Sequence, residues 1–115
     1  AVRVLVTAPF VFLLLAACGD TCTNDVRASV PSPSGPLHAV VFLRECGATV
    51  GFNTQVSLVA AAEQPVDSGN VVVLKGKVPL QLRWQSETEL IVTGAAATEQ
   101  FKREVLVGAV RVRYE

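Results

Sequence analysis

The chain has 115 residues, half of them hydrophobic, and its ten Lys and Arg balance ten Asp and Glu. That length holds one domain. The charges are scattered singly or in pairs, with no basic stripe for phosphates and no polybasic patch for anionic lipid, so no nucleic-acid partner is expected.

Much of the mean hydropathy of +0.44 sits at the N-terminus. Val4 to Ala17 reads V-L-V-T-A-P-F-V-F-L-L-L-A-A, fourteen residues interrupted only by Thr7 and Pro9. About 20 apolar residues are needed to cross the hydrocarbon core as a helix. The run is short for that and suits the apolar region of a secretory signal, with Arg3 as the positive charge before it. An ordinary cleaved signal and a buried structural segment are the competing readings. The position of the run in the sequence weighs against the second.

Leu15-Ala16-Ala17-Cys18 resembles the bacterial lipobox, in which an aliphatic and two small residues precede a cysteine. Small residues there let the backbone enter a peptidase site, and the thiol receives a diacylglyceryl group before cleavage. The resemblance implies a lipoprotein signal peptide over 1–17 and lipid attachment at Cys18. It also implies residence at the extracytoplasmic face of a bacterial cell envelope, with the membrane as partner. One acyl chain binds a bilayer only marginally and two hold it stably.

The remaining cysteines are Cys22 and Cys46. With Cys18 acylated, the odd count resolves into one pair, and an oxidising compartment lets that pair form a disulfide. Closing a loop of that size is worth about 3.5 kcal/mol in chain entropy. The competing idea is thiol or zinc chemistry. Zinc wants four clustered ligands, and His38 stands about 26 Å from Cys46 if both share a strand at about 3.3 Å per residue. No metal and no cofactor is expected.

Residues 18–37 read as a tether and turn-rich lead: polar at first, then three prolines and a glycine from Pro31 to Pro36. Residues 38–115 are expected to form the β domain. His38 to Cys46 is β-branched and aromatic and predicts a strand. A loop with Gly47 and Gly51 follows, then a strand over Thr54 to Ala62 with Val56, Leu58 and Ala60 on one face. Pro65, Asp67-Ser68-Gly69 and Asn70 mark a turn. Val71 to Lys75 predicts a short strand, and Gly76-Lys77 a tight connection.

Leu80 to Gln85 alternates apolar and polar, which places Leu80, Leu82 and Trp84 inward. A turn leads to Glu89–Thr93, and Val110 to Glu115 alternates again. Ala95 to Glu104 has helical propensity but can equally open a last hairpin with Gly108 at a bulge or turn; the hairpin is preferred. The fold class expected is all-β, a small antiparallel β-sandwich or open barrel of six to seven short strands.

Two segments, S-P-S-G-P-L-H-A-V-V-F from Ser32 and R-W-Q-S-E-T-E-L-I-V from Arg83, resemble the strand edge of TolB-like β-propeller blades. A blade takes about 40 residues and a ring at least four blades, so the 98 residues from Cys18 onward close no propeller. C-T-N-D-V, P-S-P-S-G, A-V-V-F and C-G-A-T-V-G-F-N-T-Q-V-S-L, over residues 22–62, resemble a group of small uncharacterised bacterial envelope proteins, often predicted lipoproteins. That resemblance implies export, a compact β domain and a cysteine pair at Cys22 and Cys46. It implies no activity.

The function expected is that of an envelope binding or interaction module, with an envelope protein as the possible partner. The loop Ala48 to Asn53 is the candidate contact, displaying Thr49, Phe52 and Asn53. The plainer reading of the same loop has Phe52 plugging the core and the glycines serving a turn. The alternative function is an inhibitor of an envelope-attacking hydrolase, which demands a protruding rigid loop. Enzymatic activity is not expected: there is one His, no G-x-S-x-G, and Glu87 and Glu89 border an exposed turn. Trp84 suits a sugar platform in type, but its inward position makes it core.

Overall fold

A computed structural model describes residues 22–47 and 51–115. The expected signal segment 1–17, the expected lipid attachment residue Cys18 and the candidate contact residue Thr49 lie outside the described residues. The fold is all-β, an open sandwich of two sheets. The first holds β1 (Thr23–Pro31), β2 (Leu37–Glu45), β3 (Phe52–Ala60), β4 (Val72–Lys75) and β7 (Gln100–Arg103), in that spatial order. The second holds β5 (Gln81–Ser86), β6 (Glu89–Thr93), β9 (Val110–Tyr114) and β8 (Leu106–Val107), also in spatial order.

Alternation along each strand builds the core. Ala39 and Val41 of β2, Val56 and Leu58 of β3, and Val72 and Leu74 of β4 face Leu90 and Val92 of β6 and Val110 and Val112 of β9. Leu80, Leu82 and Trp84 pack against them, partly buried. The inward faces expected from period 2 hold for Val56, Leu58, Leu80, Leu82 and Trp84, whereas Ala60, expected beside Val56 and Leu58, is exposed because it is the last residue of β3.

Two expectations are corrected. Residues 23–31, read as part of a tether, form strand β1, which pairs antiparallel with β2 from Thr23–Glu45 to Pro31–His38. The sequence T-N-D-V-R-A-S-V-P is polar because β1 is an edge strand with most of its residues exposed, and a solvated edge lacks the apolar signature of a core strand. The strand count is accordingly nine among the described residues. The turn does fall in the Pro-rich part, where the Gly35 amide donates to the Ser32 carbonyl at 2.9 Å.

The segment after Gly94 is not an α-helix, and the last hairpin does turn at Gly108, but β8 and β9 form it after Ala95–Glu104 rather than within that segment. A single 3-10 turn over Ala95–Ala97 leads to β7, which joins the opposite sheet beside β4. The chain then returns as β8 and turns through Gly108, at φ +59°, into β9. β9 runs parallel to β6. Parallel neighbours need a long crossover, and here β7 and β8 are that crossover.

The outer face of the five-stranded sheet carries Val40, Phe42 and Val73 beside Gln55 and Ser57, all buried. The loop over 61–71 covers it. The Gly69 amide donates to Gln55 Oε1 at 2.6 Å and the Ser68 hydroxyl to the same oxygen at 3.1 Å. The Asn70 side chain accepts from the Leu58 amide (2.8 Å) and donates to the Leu58 carbonyl (3.0 Å), so it acts as a strand partner where no strand lies. Gly69 is required by this approach: a Cβ there would stand 2.7 Å from the Val56 carbonyl oxygen.

Candidate functional site

Cys22 and Cys46 are bonded to each other, S–S 2.06 Å. They stand one rung beyond the Thr23–Glu45 pair, so the bond extends the β1–β2 ladder at one end of the sandwich. At that same end Phe52 opens β3 opposite Glu45. Phe52 does not plug the core: it is 38% exposed, with Lys77 Nζ 4.2 Å from its ring centroid. A cation over an aromatic face is held by the ring quadrupole. Asn53 is half-buried within β3, paired with Arg44 and bridged to Gly76. The two described candidate contact residues, Phe52 and Asn53, therefore belong to a strand start rather than to a loop tip.

Beside Lys77 the sandwich is open. Farther along, its edge is clamped, where the Trp84 indole N–H donates to the Val30 carbonyl at 2.9 Å and joins β5 to β1. Toward the disulfide end the β1 register shifts between Val26 and Ala28, leaving Arg27 as the extra residue of a β-bulge. Bulges bend a strand and re-aim its side chains. A groove of about 350 Å³ lies there, its floor made by Val41 and Leu43 of β2 and Thr54 of β3. Its far wall is the segment Val78 to Leu80, and Arg27, Ala28 and Lys77 line the rest.

The floor is apolar in effect. Thr54 carries its only polar side-chain group, and that hydroxyl donates to the Gly76 carbonyl (2.7 Å) while accepting from the Val78 amide (2.8 Å). The two charged lining residues are both cations. Arg27 has an ion-pair partner, Asp25 at 3.4 Å, with both side chains more than half exposed, and such surface pairs are worth about 0–1 kcal/mol.

The other residues considered from sequence are engaged separately. Glu87 Oε2 accepts from the Ser34 amide at 2.6 Å, whereas Glu89 pairs with Arg113 at 3.2 Å; they form no carboxylate pair. Trp84 packs on the core. His38 and Cys46 stand toward opposite ends of β2. Among the described residues no group of three or more His, Cys, Asp and Glu side chains is placed to hold a metal, and no helix is long and apolar enough to cross a membrane.

One nucleophile–base contact escaped sequence reasoning: Ser29 Oγ lies 2.7 Å from His38 Nδ1. His38 Nε2 is 3.1 Å from the Glu63 carbonyl. A carbonyl only accepts, so Nε2 carries the proton, and in the neutral ring Nδ1 accepts from the Ser29 hydroxyl. The contact is exposed and neither residue lines the groove; it ties the start of the 61–71 loop to the β1–β2 edge. Neither this contact nor the groove was legible in sequence, because both join residues of different strands.

No protein-family profile, curated protein or solved structure matches this chain. Its functional reading rests on its residues and their geometry.

Proposed function

We propose that this chain is an exported binding module of a bacterial cell envelope, anchored by lipid on Cys18. The observation that carries the reading is the Cys22–Cys46 bond. It accounts for two of the three cysteines and leaves the one that follows the lipobox-like Leu15-Ala16-Ala17. A disulfide in so small a domain also suits an oxidising, extracytoplasmic compartment.

With β1 starting at Thr23, little tether separates anchor from domain. Four residues from Cys18 to Cys22 span at most about 14 Å when fully extended. The disulfide end, with Phe52, Lys77 and the groove, then sits close to the lipid surface. Membrane attachment concentrates such a module near any envelope partner. Inhibition of a hydrolase is the weaker reading, because the 61–71 loop lies down on its sheet rather than protruding.

Mass spectrometry of the protein expressed in a bacterial host tests the anchor. The expected product starts at Cys18 and carries the mass of a diacylglyceryl group, and Cys18→Ser abolishes both the modification and membrane recovery. A product that retains residues 1–17, or a mature chain with unmodified Cys18, overturns the proposal.

A further inference from the structure

We propose that the groove between β1 and the Val78–Leu80 segment binds a single-chain anionic amphiphile, a long-chain carboxylate, with its tail on Val41 and Leu43 and its head between Arg27 and Lys77. The inference stands on the groove alone and holds whether or not Cys18 carries lipid.

Three features select that ligand class. The floor exposes no unsatisfied polar side chain, since both hydrogen-bonding roles of the Thr54 hydroxyl are filled internally. A ligand body with donors or acceptors would lose its water there without replacement, whereas an alkyl chain loses none. Next, the charged residues lining the groove are Arg27 and Lys77, so the favourable head group is an anion. Both are available to it: the Arg27–Asp25 pair is solvent-exposed and exchangeable, and Lys77 is held over Phe52 by a contact that leaves its other donors unused. Finally, about 350 Å³ lies at the small end of ligand sites, which suits one chain better than a two-chain phospholipid.

The bulge explains how the site is built. Without the extra residue, β1 would keep its alternation and the position now held by Arg27 would move to another face. The Trp84–Val30 hydrogen bond holds the two sheets together beyond the groove, so the opening is confined to the stretch flanked by the two cations.

Equilibrium binding of radiolabelled dodecanoate to the full chain in phosphatidylcholine nanodiscs, against protein-free nanodiscs, tests this. One equivalent is expected to bind saturably. Combined Arg27→Glu and Lys77→Glu should weaken binding by at least about tenfold, and Ala28→Trp should block it by filling the groove. Dodecyltrimethylammonium and phosphatidylglycerol vesicles should not compete. If Ala28→Trp fails to fold, the charge reversals, confined to exposed side chains, carry the test. Binding indifferent to the double reversal overturns the proposal. So does equal displacement by the cationic amphiphile, or the absence of saturable dodecanoate binding, with or without binding to phosphatidylglycerol vesicles. A dimer that forms through the groove and binds no dodecanoate also overturns it.

Discussion

The outer face of the five-stranded sheet holds Val40, Phe42 and Val73 beneath the chain's own 61–71 loop, whereas the outer face of the four-stranded sheet holds Ile91 between two arginines. Ile91, 1% exposed, pairs across the sheet with Arg83 on one side and Arg113 on the other. Their stems cover apolar surface while the guanidinium groups stay in water. Those groups are tied to Glu89 and Glu115 at 3.2–3.8 Å. The first cover is backbone, which brings polar N–H and C=O groups that must be satisfied; buried Gln55 and Ser57 do so by accepting from the Gly69 and Asn70 amides. The second cover consists of flexible side chains and needs no such partners. Covering a sheet with chain thus costs buried polar side chains, and covering it with long cations does not.

The sharpest way to break this contrast is Phe42→Ala, which empties the covered face. A loss of about 3–5 kcal/mol is expected, read from the urea unfolding midpoint. A loss below about 1 kcal/mol would mean that the loop does not seal that face.

Gln55→Ala removes the acceptor for the Gly69 amide and the Ser68 hydroxyl. Leaving that amide buried and unpaired should cost about 1–3 kcal/mol. Faster hydrogen exchange at Gly69 than at the inner-strand amides should accompany it. Unchanged exchange would show that the loop is held by its other contacts alone.

Tyr114 joins the two sheets, and Tyr114→Phe is expected to cost about 1 kcal/mol near neutral pH. Its hydroxyl donates to the Glu104 carbonyl at 2.6 Å and lies 3.4 Å from the Val71 carbonyl. Burial pushes its pKa up from 10 to about 12, with Glu104 adding to the rise and Arg103, whose guanidinium lies over the ring, opposing it. In the unfolded chain the phenol ionises first, so deprotonation favours unfolding. The contribution of Tyr114 is complete below pH 10 and is lost as pH rises to about 12. Because this is the only tyrosine, phenolate absorbance of the folded protein reports it directly. A midpoint near pH 10 would contradict the burial.

The smallest effect belongs to the charged face. Arg113→Ala should cost about 0–1 kcal/mol, and less in high salt, because its pairs with Glu89 and Glu115 are exposed. A loss rivalling that of Phe42→Ala would erase the contrast between the faces and assign Ile91 a larger share of the fold.

Much of this difference was present in the sequence as pattern. The unbroken apolar run Ala39 to Leu43 in β2 departs from alternation, and such a run marks a strand buried on both faces. Val110 to Tyr114 alternates cleanly because water reaches its outer side. Strand β1 was hidden for the opposite reason: an exposed edge strand holding Asn24, Asp25 and Arg27 is chemically indistinguishable from a polar linker. Of the candidate site, the cysteine pair and Phe52 could be named beforehand. Arg27 and Lys77 could not, since fifty residues of sequence separate them and nothing local to either indicates a shared groove.

Local period was enough for an all-β chain and the inward residues of β5, and cysteine arithmetic joined to the lipobox resemblance gave the pairing of Cys22 with Cys46. These depend on each residue's own relation to water and on its near neighbours in the chain. Tertiary structure alone decided the parallel β6–β9 pair, the loop laid over β2 and β3, and the opening between β1 and Val78–Leu80. Each of these is a meeting of remote segments, selected by which surfaces remain to be buried once the strands exist, and no periodicity within a single segment records that choice.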